Sequence, residues 1–537
     1  MRPMESQALK RTSLQSAYAV WFVLIGVFAA LHALNLRADF PNHSPWVFDW
    51  AKYTDEGWYG NAAVRAHLFG NWYVPGDFNP AAALPVLPFL EWILFFFTGV
   101  KVEAARGLAI AFFFASLLLT YLLLRPRGPR WMALLALTML VTSPFLYCFS
   151  RLAILEPPLT AFTLAALNLA VRLPRAKKPM IASIGIGLLF ALMMLTKTTA
   201  VFLLPAVVWA MVLPLWPSRR LAARCVLAAG AGFALSYGFW IALVVRRGLL
   251  ADYKYLFIVN RYPKPTAFYW PLLSLWWSMH GDLWIDHLLA PLAGIIVAGA
   301  VVSGLWLGRK TEWGRRFLLD PVVGSSVLAI AGYILFMTYQ NHPQPRYYAV
   351  VAIFCFVIVA QGTNALLRGR GWTRRLGTLA LGAASAGSLI NGIWTLNFAT
   401  HPEYTLVDAA ARLTRYIDTH PSGKRLLVSI SGDEITLMTH LPTICDDFGT
   451  QELASKLVRY QPGWFATWND LDPGTLEDIH THFSLEQVAS FRAMDAPDRN
   501  QLVLFKLHPL PNGEVREPEE QNLDVPLPGD EIDIDVQ

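Results

Sequence analysis

The chain is divided into about eleven apolar runs, most of them close to 20 residues long, at 17–36, 107–124, 131–148, 157–172, 180–196, 199–216, 222–245, 287–307, 322–340, 347–367 and 376–396. A helix rising 1.5 Å per residue needs about 20 apolar residues to cross a hydrocarbon core of roughly 30 Å. In lipid every backbone amide must be satisfied within its own segment or a closed barrel, so runs of this length read as helices. The pattern predicts a mainly α, polytopic membrane protein with about eleven transmembrane helices. Composition agrees, since 55% of the 537 residues are hydrophobic and only 15% are charged, outside the range of soluble domains. The first run follows Lys10 and Arg11, with no small-residue cleavage site after it, and is expected to stay as an anchor.

A net charge of +6 would suit a nucleic-acid partner if it formed a basic face. Instead the basic residues sit in short clusters between apolar runs, "RPRGPR", "RLPRAKKP", "WPSRRLAAR", "GRKTEWGRR" and "RGRGWTRR". Lys and Arg concentrate in this way on the cytoplasmic side of membrane proteins. The clusters alternate with connections that lack them, which puts the N-terminus inside and residues 37–106, 246–286 and everything after 397 outside. The apolar stretch 84–100 does not fit this parity as a crossing. With Pro85, Pro88 and Glu91 in it, it reads as a helix lying in the interface. Cys148, Cys225, Cys355 and Cys445 have no paired spacing, so neither a disulfide framework nor a cysteine zinc site is implied.

After residue 397 the composition becomes that of a soluble domain. "TLVDAAARLTRYIDTH" has helical amphipathicity, "KRLLVSI", "GWFATW" and "QLVLFKL" read as strands, and "QELASKLVRY" reads as a helix. Three units are therefore expected: a transmembrane catalytic module at 1–397, a small extracytoplasmic α/β domain at 398–510, and an acidic, proline-bearing disordered tail at 511–537.

Acids are costly inside a bilayer and need a reason when they adjoin apolar runs. Asp55 and Glu56 open the motif "DEGWYGNAA" in the first outer loop, and Glu156 lies in "SRLAILEPPLT", after Arg151. A bundle can bring these loops to one face, where a carboxylate would act as a base and cations would hold an anionic leaving group. Arg346 in "NHPQPRYY" offers a planar fork suited to phosphate, and Lys197 interrupts two apolar runs in "LMMLTKTTAVFLLP". Loop 246–286 is rich in Tyr and Trp and carries Arg261 and Lys264, which makes it a candidate lid for a sugar. Its His280, Asp282, Asp286 and His287 are metal-ligand types without a recognisable spacing. In the soluble part, "SGDE", which contains Asp433 and Glu434, reads as a surface loop, because no glycine-rich phosphate fingerprint follows the preceding strand.

The order of "DEGWYGNAA", "FGNWYVPGDFNPAAALPVLPFLEWI", "GVKVEAARG", "SRLAILEPPLTAFTLAALNL", "TKTTAVFLLPA" and "HPQPRYYAV" resembles the GT-C superfamily of membrane glycosyltransferases. The likeness is to the bacterial branch similar to protein O-mannosyltransferases and lipid A aminoarabinose transferases. That resemblance implies inverting transfer of a sugar from a polyprenyl-phosphate donor to an extracytoplasmic acceptor, whether protein, lipid A or polysaccharide, at a bacterial inner membrane. It implies Asp55 as base with Glu56 and Glu156 as further catalytic acids. Arg151, Lys197, Arg346 and Tyr347 would hold the donor phosphate, and Tyr59, Arg261 and Lys264 would contact substrate. No cofactor is required by it, and a divalent cation stays open. Many relatives carry a Lys before the proline-rich segment where this chain reads "NPAAALPVLP", so another cation must take its place. A secondary transporter or lipid-linked sugar flippase is the alternative reading. It would favour charges near the bilayer midplane and internal repeats, whereas the acids here lie at run ends and no repeat is visible.

Overall fold

The computed structural model describes residues 2–46, 49–259, 286–305, 312–340, 344–469, 471–494 and 499–510. The chain is mostly helical and multi-pass, with a small sheet near its C-terminus. Among the described residues, seven stretches are long and apolar enough to cross a membrane: Gln15–His32, Val102–Leu124, Pro179–Thr196, Thr198–Arg246, Pro321–Thr338, Pro345–Leu367 and Trp372–Thr419. Shorter apolar helices occur at Val86–Thr98, Arg130–Thr142 and Leu289–Ser303. Every expected run carries a helix. Some of these fall below spanning length; Arg130–Thr142, for one, is ended by Ser143 and Pro144.

The helices up to the sheet are α1 Arg2–His32, α2 Asp55–Phe69, α3 Val86–Thr98, α4 Val102–Leu124, α5 Arg130–Thr142, α6 Pro144–Phe149, α7 Glu156–Ala170, α8 Pro179–Thr196, α9 Leu204–Leu215, α10 Arg219–Arg246, α11 Leu250–Lys254, α12 Leu289–Leu305, α13 Glu312–Leu318, α14 Pro321–Gln340, α15 Tyr348–Leu367 and α16 Trp372–Thr400. Helix α15 is apolar on every side and almost wholly buried, as expected of the central helix of a bundle. Around it, α1, α10 and α16 keep one apolar face exposed, with Val23, Val27, Phe239, Leu389 and Ile393. Lipid satisfies such faces. Where α8 meets α10, a Cβ on Gly187 would stand 1.9 Å from Ala229 O, so only glycine permits that backbone approach.

The stretch expected to lie in the interface forms α3. It buries Val86, Leu87, Glu91 and Phe95 and exposes Phe89, Ile93, Phe96 and Phe97.

Beyond α16 come α17 Thr405–Thr419, β1 Leu427–Val428, α18 Gly432–Thr439, β2 Thr443–Ile444, α19 Leu453–Tyr460, β3 Trp464–Trp468, α20 Pro473–His480, β4 Phe483–Arg492 and β5 Gln501–Pro509. The sheet order is β2-β1-β3-β5-β4. Strand β1 runs parallel to β2 and β3, while β5 is antiparallel to β3 and β4. Alternation sorts its two faces. Leu427, Trp464 and Ala466 pack with α17, and Val428 and Phe465 pack with α19 and α20, giving helices on both sides of the sheet. Arg261, Lys264, His280 and Asp282, and the tail expected at 511–537, lie outside the described residues.

Candidate active site

Helix α2 starts with Asp55 and Glu56 in its first turn, where unpaired backbone N–H groups favour negative charge. The two carboxylates part company at once, because adjacent helical residues point about 100° apart. Glu56 is gripped by Arg106 of α4, whose Nε donates to Oε1 (2.8 Å) and Nη2 to Oε2 (2.6 Å). The Ala153 N–H also donates to Glu56 Oε1 at 2.8 Å. Both oxygens are thus engaged, and Glu56 ties α2 to α4 and to the turn before α7.

Asp55 faces the other way, toward the short turn Pro345–Tyr347 that leads into α15. Arg346 Nε lies 3.0 Å from Asp55 Oδ2, close enough for an ion pair but off the line of a hydrogen bond. Asp49 accepts from Arg346 Nη1 and from the Arg346 backbone N–H, both at 2.7 Å. The Tyr347 ring carries two cations, with Arg346 Cζ at 4.9 Å and Lys197 Nζ at 4.3 Å from its centroid. Lys197 donates to Glu156 at the start of α7, and the second Glu156 oxygen has no hydrogen-bond partner. A small cavity beside Glu156 is lined by Ser116, Ser150 and Thr160 among apolar residues.

Four segments distant in sequence therefore bring Asp49, Asp55, Glu156, Lys197, Arg346 and Tyr347 together, all buried. Burial pushes Asp55 up from 3.8 to about 6; Arg346 pulls it back, and Asp49 and Glu156 push it further up. Tyr59, one turn along α2, is pushed above its ordinary range by burial and then by Asp55, so its hydroxyl stays protonated beside the cluster.

The face of α2 beyond Asp55 is set by the sheet domain, against the surface-loop expectation for "SGDE". The Gly57 N–H donates to Glu434 Oε2 (2.8 Å), and the Trp58 indole donates to Ile430 O (3.0 Å). Asn61 and Arg65 each donate to Asp433 at 2.9 Å. Arg65 also pairs with Asp77 (2.7 Å), which in turn meets Lys456 at 3.3 Å. Asp433 and Glu434 are buried because α18 presses its first turn onto α2. A Cβ on Gly57 would fall 2.1 Å from Glu434 N, so the glycine of "DEG" is what allows the approach. Local composition could not show this, since both acids find their partners in the first loop.

Of the remaining expected residues, Arg151 lies apart from the cluster, bonded to Tyr147 and to Asn35 O. Asp286 caps α12 by accepting from the Leu288 and Leu289 N–H groups at 2.7 and 2.6 Å. Asp49 escaped the sequence reading; its only signal is that it precedes Asp55 in the same acidic, aromatic loop. The described residues of this cluster do not fit a divalent cation. Asp49 and Asp55 are paired with Arg346 and Glu156 with Lys197, and among the described residues no group of three His, Cys, Asp or Glu is placed to hold a metal ion.

Residues 80–241 match the family model of dolichyl-phosphate-mannose-protein mannosyltransferase. Among solved structures, ArnT from Cupriavidus metallidurans in the apo state is 15% identical, with a TM-score of 0.50 over 91% of this chain and 98% of that one. The same protein bound to undecaprenyl phosphate gives a TM-score of 0.48 at 15% identity, with the same coverage of 91% and 98%. The oligosaccharyltransferase AglB from Archaeoglobus fulgidus, in complex with an inhibitory peptide and a dolichol-phosphate, is 13% identical, with a TM-score of 0.49 over 83% of this chain and 69% of that one. No curated protein matches the chain. The resemblance to GT-C membrane glycosyltransferases read from the ordered motifs thus has a family-model match and a shared fold behind it.

Proposed function

We propose that the chain is an inverting glycosyltransferase that takes a sugar from a polyprenyl-phosphate donor and passes it to an acceptor on the side of the membrane bearing the sheet domain, the extracytoplasmic side of a bacterial inner membrane. The observation that carries this reading is the Asp55–Arg346 contact at 3.0 Å, flanked by Lys197 and Tyr347 where the helices meet the sheet domain. A single carboxylate with a raised pKa set against a group of cations is what substitution at a phosphate-bearing carbon needs. The family model matched by residues 80–241 supports the same chemistry.

In this reading the acceptor hydroxyl oxygen attacks the anomeric carbon while Asp55 takes its proton. The bond from that carbon to the phosphate oxygen breaks on the opposite face, and its electron pair leaves with the polyprenyl phosphate. One displacement inverts the anomeric centre. Arg346, steadied by Asp49, and Lys197, steadied by Glu156, offset the charge on the leaving phosphate. They also fill the place of the lysine absent from "NPAAALPVLP". Glu56 acts at a distance, by holding the turn from which Asp55 projects, and the Tyr59 hydroxyl can donate to a sugar or phosphate oxygen.

The test is transfer from synthetic polyprenyl-phosphate sugars, with hexose and pentose donors compared, by the purified enzyme in lipid. Release of polyprenyl phosphate coupled to an acceptor glycoside of inverted configuration is expected. Retention of configuration, or movement of intact donor across the bilayer without bond cleavage, would refute the reading.

A further inference from the structure

Arg65, Arg106, Lys197, Arg346 and Lys456 are buried cations, and each faces a carboxylate. Arg151, only 7% exposed, is different. Its partners among the described residues are all neutral: the Tyr147 hydroxyl, Asn35 O at 2.7 Å, and the Tyr147 ring 4.5 Å from Cζ. A guanidinium taken out of water without a counter-ion is strongly unfavourable unless an anion completes it. Its neighbour Arg106 cannot share one, being spent on Glu56, Leu36 O and Ala38 O.

Arg151 lines a narrow, solvent-open crevice between the loop after α1 and the α16–α17 connection. Two acids share this crevice. Asp39 is turned away, accepting from the Leu406 and Val407 N–H groups at the start of α17. Glu403 sits half-buried at the rim, with one oxygen accepting from the Asn42 N–H. Exposed His401 completes the rim. The crevice opens where α1 and α16 end, and both helices lead up to it with exposed apolar side chains, Val23 and Val27 on α1, Ile393 and Trp394 on α16. The Trp394–Phe398 pair supplies the aromatic character found at headgroup level.

We infer that this crevice seats the headgroup of an amine-bearing phospholipid from the leaflet next to the sheet domain, with the phosphate on Arg151 and the ammonium at Glu403. The acyl chains lie along α1 and α16. This site is separate from the Asp55–Arg346 cluster and does not depend on what that cluster transfers.

The test is native mass spectrometry of the delipidated full-length protein titrated with phosphatidylethanolamine, phosphatidylglycerol, glycerophosphoethanolamine and inorganic phosphate. One tightly retained phosphatidylethanolamine is expected, with the two soluble phosphates far weaker. Arg151→Gln should weaken retention at least about tenfold. Arg151→Lys, which keeps the charge without the fork, should weaken it less. Glu403→Gln should erase the preference for phosphatidylethanolamine over phosphatidylglycerol while leaving binding in place. Arg346→Ala should leave phospholipid retention unchanged. Wild-type protein that retains no phospholipid would overturn the proposal whatever the variants do. So would unaltered retention in Arg151→Gln, competition with polyprenyl phosphate for one seat, or inorganic phosphate binding as tightly as the lipid.

Discussion

Asp55 is pulled two ways: burial favours its neutral form, and Arg346 favours its charged one. A base must be ionised to work, so kcat/KM should fall below an acid limb centred near pH 6, the value to which the group is raised. Neighbouring charges give the sign of any shift. Glu156→Gln removes a negative neighbour and should move the limb to lower pH, whereas Lys197→Met removes a positive one and should move it higher. A pH–rate profile of both variants checks this, and a limb that stays fixed would detach it from Asp55. The same raised value lowers folding stability as pH rises from about 4 to about 6, because the folded state holds this proton more tightly than the unfolded chain does. Asp55→Asn keeps the shape but cannot take a proton, and turnover should drop roughly 10²- to 10⁴-fold with donor binding intact. Arg346→Ala should instead weaken binding of polyprenyl phosphate, measurable by isothermal titration. Glu156, Lys197 and Arg346 could be singled out from sequence because each is a charge beside an apolar run, and Asp55 because it opens "DEGWYGNAA" in the first outer loop. Asp49 could not, since its meaning lies in a partner 297 residues away.

Helices and strands with strong local patterns were readable. The amphipathic segment "TLVDAAARLTRYIDTH" is α17, "GWFATW" is β3 and "QELASKLVRY" contains α19. Strand β4 went unread because "FSLEQVASFR" lies at the sheet edge with a bulge between Gln487 and Ala489, so its alternation is blurred. The docking of α18 on α2 was also hidden, since a short "SGDE" carries no periodic signal. That contact predicts a sharp outcome for Gly57→Ala. The added methyl would meet the backbone of Glu434 at 2.1 Å, and backbone cannot swing aside as a side chain would. Overpacking of this kind costs about 1–3 kcal/mol or more. Melting in detergent should drop by several degrees and turnover should fall, since α2 also carries Asp55. Unchanged turnover would show that the seat of α2 is not coupled to the site.

At the scale of the whole molecule, apolar run length announced a multi-pass bundle, while the number of crossings was less legible. Runs of about 20 apolar residues do not reveal where a proline or turn shortens the helix, as at Arg130–Thr142. The sidedness expected from the basic clusters can be tested with reporters. A periplasm-dependent enzyme fused after residue 400 should be active, and one fused near Arg127 or Arg175 should be silent; the reverse pattern would invert the membrane orientation. Removing everything after Leu510 should leave sugar transfer unchanged. The seat of α2 also bears on how the protein comes into being. Gly57 and Glu434 are 377 residues apart in the chain, so during synthesis the helix bearing Asp55 emerges among the first and waits for its support until nearly the last. Contacts of such separation form slowly, after the loop between them has closed. In the proposed reading, the helices can thus enter lipid before the site is complete, and transfer would begin only once the final domain has folded back onto the first loop.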